Sequence, residues 1–450
     1  MLDILALLLC LHPCVSMTTI RQLYRIAVAL LCMTGRVTML GIARWAGAGG
    51  SYRTVQRFFA TAIPWAQLLW VFFRRHLFRP DDVYLLAGDE VVVPKAGKKT
   101  YGLDRFFSSI YQHPVPGLAF FSLALVSTTE RRAFPFCLEQ VVRTDAEKAA
   151  SKAKAAAKKA KPAAPKRKPG RPKGSTNQPR VDVPLSPELQ RIQTLVCDLL
   201  QLIAGWLSLT YLVLDGHFGN RAACQMAQQC GLQLLSKLRS DAALYEPYAG
   251  PYQGRGPRRK YGAKLDYAAL PQTYLRHTAV EGPLETRIYQ AELLHKEFGQ
   301  PLNVVIIEKL NRATQKRAHV ILFSSDRALP YDKLIDYYSL RFQIEFTFRD
   351  AKQYWGLDDF MNVKSTAVTN AANLALFMVN LVYVLLRDVR QTAPECSVLD
   401  LKAQYRGYTY VRETIKLLPE PPDEHIMAQM FRQVANLGRI HPTDAQLNAA

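Results

Sequence analysis

The sequence lacks the features that mark disulfide-stapled, zinc-binding and membrane-spanning proteins. Its eight cysteines are scattered and none forms a Cys-x-x-Cys pair, which argues for a reducing compartment and against a disulfide framework or a zinc finger. The apolar run at residues 1–15 lacks the basic segment with which a secretory signal peptide opens, and it carries Asp3 instead. The run Leu374–Leu386 contains Asn380 and is short for a bilayer span, so a buried core helix is expected. These absences predict a chain that stays inside the cell, with no membrane partner.

Acidic residues are also scarce relative to basic ones. The 450-residue chain has 58 lysines and arginines against 37 aspartates and glutamates, a net charge of +21. Such an excess favours a polyanionic partner. Hydrophobic residues make up 49% of the chain, and its length is enough for a sizeable core divided among several domains.

One segment in the C-terminal third repeats polar residues at helical spacing. Since a helix turns about 100° per residue, a single stripe roughly 60° wide holds Tyr338, Arg341, Glu345 and Lys352. The phenylalanines and aliphatic residues between them can pack this helix, predicted over Tyr331–Tyr354, onto a core. A carboxylate flanked by cations suits a metal that must meet a phosphate. The plainer interpretation is a surface helix with ordinary ion pairs.

Two further carboxylates follow apolar runs that are typical of buried strands. Asp89 follows the run Val83–Ala87 after one glycine, Gly88, and Asp215 comes directly after the run Tyr211–Leu214. Either aspartate alone could be a turn or cap residue at a strand end. Strands hold side chains more firmly than loops do, however, so two strand carboxylates and a helix glutamate make a plausible cage for two magnesium ions.

These motifs resemble the DDE transposases of bacterial insertion sequences, in the superfamily called insertion sequence four. The polar stripe matches the family's Y-x2-R-x3-E-x6-K signature, Leu214-Asp-Gly-His-Phe-Gly-Asn220 is similar to the surroundings of its second aspartate, and Asp89 looks like its first. The likeness covers roughly residues 20–390. The family usually has Thr or Ser where this chain has Glu90; of the two carboxylates we prefer Asp89 as the metal ligand.

The resemblance implies an α/β fold with an RNase H-like mixed-sheet catalytic core and a β-rich insertion. It implies Asp89, Asp215 and Glu345 as catalytic metal ligands for two Mg²⁺ ions, with Mn²⁺ able to substitute. It also implies cut-and-paste transposition by a homodimer in a synaptic complex on double-stranded DNA, at inverted-repeat ends and at a target. Tyr338, Arg341 and Lys352 are then expected to hold the DNA strand next to the metals, and the protein to be cytoplasmic and nucleoid-associated.

A basic linker interrupts the expected core. Residues 146–180 contain nine lysines and three arginines against one glutamate, a net charge of +11, and no large apolar residue, so disorder is predicted. Within them a Gly-Arg-Pro centre resembles an AT-hook, whose arginine lies in the minor groove of AT-rich DNA. The DNA-binding residues of this hook are Lys168, Gly170, Arg171, Pro172 and Lys173. A generic polybasic linker is the plainer interpretation.

The remaining patterns complete the predicted domain organisation. Helical spacing marks an N-terminal region in which Arg53 and Arg57 share a face that suits DNA, although a plain helical bundle fits these residues as well. The predicted sequence of parts is a helical N-terminal DNA-binding region 1–80, core 81–145, disordered linker 146–180, core 181–231, β-rich insertion 232–330, core 331–390 and a C-terminal region 391–450.

Two other functions remain open alongside a transposase. The chain could be a catalytically inactive or domesticated DNA-binding protein, which the presence of all three carboxylates disfavours. It could also be an endonuclease without strand transfer, which the sequence barely separates from a transposase.

Overall fold

The computed structural model describes residues 2–108, 111–159, 182–252, 254 and 256–441. The helices of these residues are α1 (Ile4–Leu8), α2 (Met17–Cys32), α3 (Met39–Trp45), α4 (Tyr52–Ala60), α5 (Trp65–His76), α6 (Asp145–Lys159), α7 (Pro187–Ile203), α8 (Arg221–Gln229), α9 (Tyr331–Leu340), α10 (Gln343–Trp355), α11 (Ser365–Val389), α12 (Val398–Ile415) and α13 (Glu424–Asn436).

The strands form one continuous mixed sheet. They are β1 (Tyr84–Pro94), β2 (Asp104–Ser108), β3 (His113–Ser127), β4 (Arg132–Val141), β5 (Tyr211–Val213), β6 (Gln233–Leu238), β7 (Leu244–Pro247), β8 (Tyr261–Lys264), β9 (Leu275–Glu281), β10 (Leu284–His295), β11 (Leu302–Asn311) and β12 (Arg317–Ser324). Their order is β2-β3-β1-β5-β6-β12-β11-β10-β7-β8, with β4 on β3 and β9 on β10.

The first half of the sheet is an RNase H-like core, and the predicted fold class is confirmed. Strand β1 pairs antiparallel with β3 and parallel with β5, and β5 pairs parallel with β6. The first five residues of β1 are all buried. Parallel strands need helical crossovers that cover both faces of the sheet, which explains why this apolar run is continuous rather than alternating.

The strands of residues 232–330 extend the same sheet. Strand β6 pairs antiparallel with β12, which pairs with β11, which pairs with β10. The region expected to be a β-rich insertion is therefore joined to the core by backbone hydrogen bonds, and β6 itself completes the parallel part of the core.

Helix α11 is the centre of the helical layer. By length and composition it could cross a membrane, but 89% of its most apolar window is buried inside the protein. It packs on β4, α4, α5 and α10, and the predicted core helix at Leu374–Leu386 is confirmed. The side-chain amide of Asn373 donates to the backbone oxygen of Leu138, and that of Asn380 donates to the backbone oxygen of Pro135. These two hydrogen bonds hold the helix against β4.

The first part of the linker is helical in the structure, although disorder was predicted from residue 146. Alanine and lysine have high helix propensity, and Asp145 and Glu147 lie in the first turn, where negative charge is favourable. The carboxylate of Glu147 also accepts a hydrogen bond from Arg191 at 2.8 Å, which ties α6 to α7. The rest of the linker, including the five hook residues 168, 170, 171, 172 and 173, lies outside the described residues.

Candidate active site

Two of the predicted carboxylates lie on or just beyond neighbouring parallel strands, Asp89 in β1 and Asp215 two residues after the end of β5. Strand β1 pairs with β5 through Leu86 with Leu212 and Ala87 with Val213. Continuing that register by two residues places Asp89 opposite Asp215, which follows the end of β5 and caps a short 3-10 helix. The backbone oxygen of Asp215 accepts a hydrogen bond from Ser236 on β6 at 2.7 Å, which holds this strand end against the sheet.

The polar stripe lies on two helices, and the single helix predicted over Tyr331–Tyr354 is wrong. Helix α9 ends at Leu340 and α10 begins at Gln343, and between them the amides bond to the third residue before them. Such 3-10 bonding tightens the turn to about 120° per residue. The break has a packing cause, since α9 packs on β6, β11 and β12 whereas α10 packs on β1, β4 and α11.

The apolar residues between the stripe positions are not all buried, because helical spacing places them on different faces. Leu340, Ile344 and Phe348 are buried as expected, but Phe342 and Phe346 are 48% and 37% exposed. The two exposed rings contact each other edge to face, with centroids 5.2 Å apart. The expectation that the whole apolar set packs on the core is therefore wrong for these two phenylalanines.

Arg341, at the break, bridges two of the three predicted carboxylates. Its Nη1 lies 2.8 Å from Oδ2 of Asp89, and its Nη2 lies 2.9 Å from Oε1 of Glu345. The Arg341 side chain is only 13% exposed, and that of Asp89 20%. Glu345 sits in the first turn of α10, where the helix dipole favours a negative charge.

The charged groups near Asp89 act on one another's pKa values. Burial raises the pKa of Asp89; the Arg341 guanidinium opposes this shift, and the charges of Asp215 and Glu345 add to it. Burial likewise raises the pKa of the Tyr338 phenol; the charge of Arg341 lowers it, and the charges of Asp215 and Asp89 raise it further. The structure thus brings together five of the predicted residues at the end of the parallel strands.

Lys352 lies further from the carboxylates than its place in the stripe suggested. Its Nζ donates a hydrogen bond to the backbone oxygen of Val92 at 2.9 Å and lies 3.5 Å from the carboxylate of Asp358. This lysine therefore ties α10 to strand β1 three residues beyond Asp89.

Glu90 belongs to a different cluster from Asp89. Successive side chains of a strand point to opposite faces. Desolvation raises the pKa of Glu90, and the charges of Glu188 and Asp89 raise it further. Glu188 on α7 lies 3.5 Å from Nε2 of His217, and this contact raises the pKa of the imidazole. Arg341, by contrast, contacts Asp89, so the geometry favours Asp89 over Glu90 as the member of the carboxylate site.

His217 and Glu188 were not predicted as functional residues. His217 lies two positions after Asp215, which was the available signal, but nothing in the sequence joins it to Glu188 on a distant helix. A cavity of about 260 Å³ opens beside Glu90 and Glu188, with Phe121 and Ile192 among its apolar lining.

The donor chemistry of Asp89, Asp215 and Glu345 suits a hard divalent cation, since carboxylate oxygens are the ligands such ions prefer. In the part of the chain that the structure describes, however, no group of three or more His, Cys, Asp or Glu side chains is close enough together to hold a metal ion. Arg341 lies between Asp89 and Glu345 and forms an ion pair with each. The metal cage therefore stays a prediction.

Comparison with known proteins identifies a family. The family model described as DDE superfamily endonuclease matches residues 10–291, which include Asp89 and Asp215 and end before Glu345. No curated protein matches the chain.

Proposed function

The chain belongs to the DDE superfamily endonucleases, and on that premise we propose that it is a transposase that cuts the ends of an insertion sequence and joins them to target DNA. The family makes it a nuclease-type enzyme with DNA as its substrate. The finer assignment is supported by one observation above all: Arg341 joins Asp89 to Glu345 beside the parallel strands of an RNase H-like sheet, where the strand register leads on to Asp215.

We propose that Asp89, Asp215 and Glu345 would hold two Mg²⁺ ions, which Mn²⁺ could replace. Bound there, the ions would activate a water or a 3′ hydroxyl and stabilise the leaving oxygen. Strand β1 and the end of β5 keep the two aspartates adjacent, and α10 brings the glutamate from the other side. The three side chains would close on the metal when Arg341 leaves them.

Arg341 has a second role in this proposal, which is to bind the DNA. Once released from Asp89 and Glu345, its planar guanidinium can bind the scissile phosphate through two parallel hydrogen bonds. The Tyr338 hydroxyl, beside Arg341, would orient the same strand. Lys352 would act from further along α10, either on a phosphate or by keeping α10 against β1.

The wider proposal takes the protein as a homodimer in a synaptic complex that holds two inverted-repeat ends. The linker, with its hook centred on Arg171, would add binding to AT-rich minor groove, and the net charge of +21 would keep the protein on DNA in the cytoplasm and nucleoid.

The test is a plasmid assay with the full chain and Mg²⁺, in which the DNA flanking the gene brackets a marker. A transposase excises the marker and inserts it into a second plasmid. An endonuclease produces cut plasmid without insertion, and an inactive DNA-binding protein retards the plasmid without cutting it. Asp215→Asn is the matched control, and equal cleavage by this variant would refute the catalytic assignment.

A further inference from the structure

We propose that Cys197 and Cys230 form a reversible intramolecular disulfide when the protein meets a peroxide or a small disulfide. The bond would fix the segment that carries Asp215 between helices α7 and α8. This thiol chemistry goes beyond the proposed function and does not depend on it.

The two sulfurs are already in contact. The Sγ of Cys197, in α7, lies 3.6 Å from the Sγ of Cys230, which directly follows α8. A disulfide bond is about 2.05 Å long, so the sulfurs must approach by only roughly 1.5 Å, which rotation of the two side chains can supply. The cysteines are 33 positions apart in the sequence and meet because α7 packs on α8.

Neighbouring contacts hold the two thiols in place. The side-chain amide of Gln193 donates to the side-chain oxygen of Gln229 at 2.8 Å. Gln193 lies about one helical turn before Cys197, and Gln229 directly precedes Cys230. The amide of Cys230 also donates to the backbone oxygen of Ala227 at 3.1 Å, which fixes the backbone at this end of α8. The pair is therefore arranged for reaction before any oxidant arrives.

The exposure of the two thiols assigns their roles. Cys197 is exposed, whereas Cys230 is partly buried. Burial, followed by the contact with Cys197, raises the pKa of the Cys230 thiol to about 12. An oxidant therefore reaches Cys197 first, and Cys230 is the thiol that resolves the intermediate.

The reaction balances with a peroxide as the oxidant. The Cys197 sulfur attacks one peroxide oxygen, the O–O bond breaks, and a sulfenic acid and one water form. The Cys230 sulfur then attacks the Cys197 sulfur, and the S–S bond forms as the hydroxyl leaves as a second water. In total the two thiols lose two protons and two electrons, and hydrogen peroxide becomes two waters. Glutathione disulfide gives the same bond by thiol–disulfide exchange and leaves as two thiols.

The bond would close a loop that contains strand β5, Asp215 and the whole of α8. Helix α7 packs on α5 and β3, and α8 packs on β6, so the two sulfurs are anchored to different parts of the core. Local openings that separate α7 from α8 would be suppressed by the cross-link, up to roughly 500-fold from loop-closure entropy over 33 positions. In a reducing compartment the pair stays as two thiols, and the cross-link forms under oxidation.

The experiment treats the reduced full chain with hydrogen peroxide in one arm and glutathione disulfide in another. The remaining thiols are alkylated, and the unreduced peptides are mapped by mass spectrometry. A peptide pair joined through Cys197 and Cys230 should be the first cross-link in both arms, and a thiol reductant should release it. Cys230→Ser should leave Cys197 as a sulfenic acid that dimedone traps. Cys14→Ser is the matched control, because it removes a partly exposed thiol elsewhere and should leave the cross-link unchanged.

Hydrogen–deuterium exchange of the full chain tests the consequence. In the oxidised wild type the amides between the two cysteines should exchange more slowly, and oxidised Cys197→Ser should show no such change. Cys197 modified without a link to Cys230, Cys197 joined to a second chain, or a link between Cys10 and Cys14 with the proposed pair still free would each overturn the proposal. Unchanged exchange in the cross-linked protein would overturn the fixing of the Asp215 segment. Since no DNA is involved, these results are independent of the transposase assignment.

Discussion

Replacement of Arg341 by glutamine should raise the affinity of the carboxylate site for divalent cations. In the structure the guanidinium binds Asp89 and Glu345 at 2.8 and 2.9 Å. A metal ion that uses both carboxylates must first displace it. Glutamine keeps a polar side chain of moderate length but has no charge, so the carboxylates of the variant are left without their counter-ion.

The magnitude follows from the exposure of each ion pair. Arg341 and Asp89 are 13% and 20% exposed, and a charge-assisted hydrogen bond so shielded contributes about 1.5–3 kcal/mol. The Glu345 side chain is 40% exposed and lies four residues after Arg341 in the sequence. An exposed ion pair at that spacing contributes only about 0.3–0.5 kcal/mol. Since a metal must break both ion pairs in the wild type, it should bind there about 20- to 300-fold more weakly than in Arg341→Gln.

The assay is titration of Mn²⁺ into the full chain without DNA, followed by the electron paramagnetic resonance signal of the free ion. Lys352→Gln is the control for the removal of one nearby positive charge, because Lys352 contacts Val92 and Asp358 rather than Asp89 or Glu345. Arg341→Gln should bind Mn²⁺ much more tightly than both the wild type and Lys352→Gln. Equal affinity in the two variants would refute the idea that Arg341 competes with the metal.

Four further results are expected. Changing any one of the three proposed catalytic carboxylates, Asp89, Asp215 and Glu345, to its amide should abolish DNA cleavage in a gel assay but leave filter-binding affinity largely intact, and retained cleavage would remove that residue from the proposed site. Replacing residues 160–180 by a short Gly/Ser loop should leave the melting temperature nearly unchanged and flatten the salt dependence of DNA binding, by roughly 0.9 in log–log slope for each phosphate that the linker neutralises. In the same binding assay, Arg171→Ala alone should narrow the preference for AT-rich over GC-rich duplexes, and a wild type without that preference would refute the hook. Lys402→Met should raise the free energy of unfolding by about 1–2 kcal/mol at pH 7. Burial lowers the pKa of Lys402 from 10.5 to about 8, so the buried charge costs the wild type roughly 3 kcal/mol. The variant avoids this cost but loses the hydrogen bond from Lys402 to the backbone oxygen of Leu30, which offsets part of the gain.

The sign of the Lys402 effect can be checked with pH. Its folded pKa of about 8 lies below the unfolded value of 10.5, so between these values the unfolded chain binds more protons. The stability of the wild type should then rise with pH across that window, and the advantage of Lys402→Met should shrink by about pH 10. Urea denaturation at both ends of the range, near neutral pH and near the unfolded pKa, measures both effects, and a constant difference between the two proteins would contradict the assignment.

The sequence alone determined the elements whose residues carry a local signal. The apolar runs before Asp89 and Asp215 predicted β1 and β5, because only a strand covered on both faces needs uninterrupted apolar residues. The largely apolar character of residues 374–386, interrupted only by Asn380, likewise predicted the core part of α11. The motifs around Asp89, Asp215 and Glu345 were sufficient to indicate the DDE superfamily, which the family match confirms.

Only the tertiary structure decided how the site is arranged. Helical periodicity in the sequence cannot reveal the break at Arg341, because the break arises where α9 and α10 pack on different parts of the sheet. It also cannot show that Glu188 reaches His217, or that the strands beyond β6 continue the core sheet. Above all, the hydrogen bond from Arg341 to Asp89 joins residues 252 positions apart. The sequence named both as candidates, but only the packing of α10 on β1 brings the cation between the carboxylates.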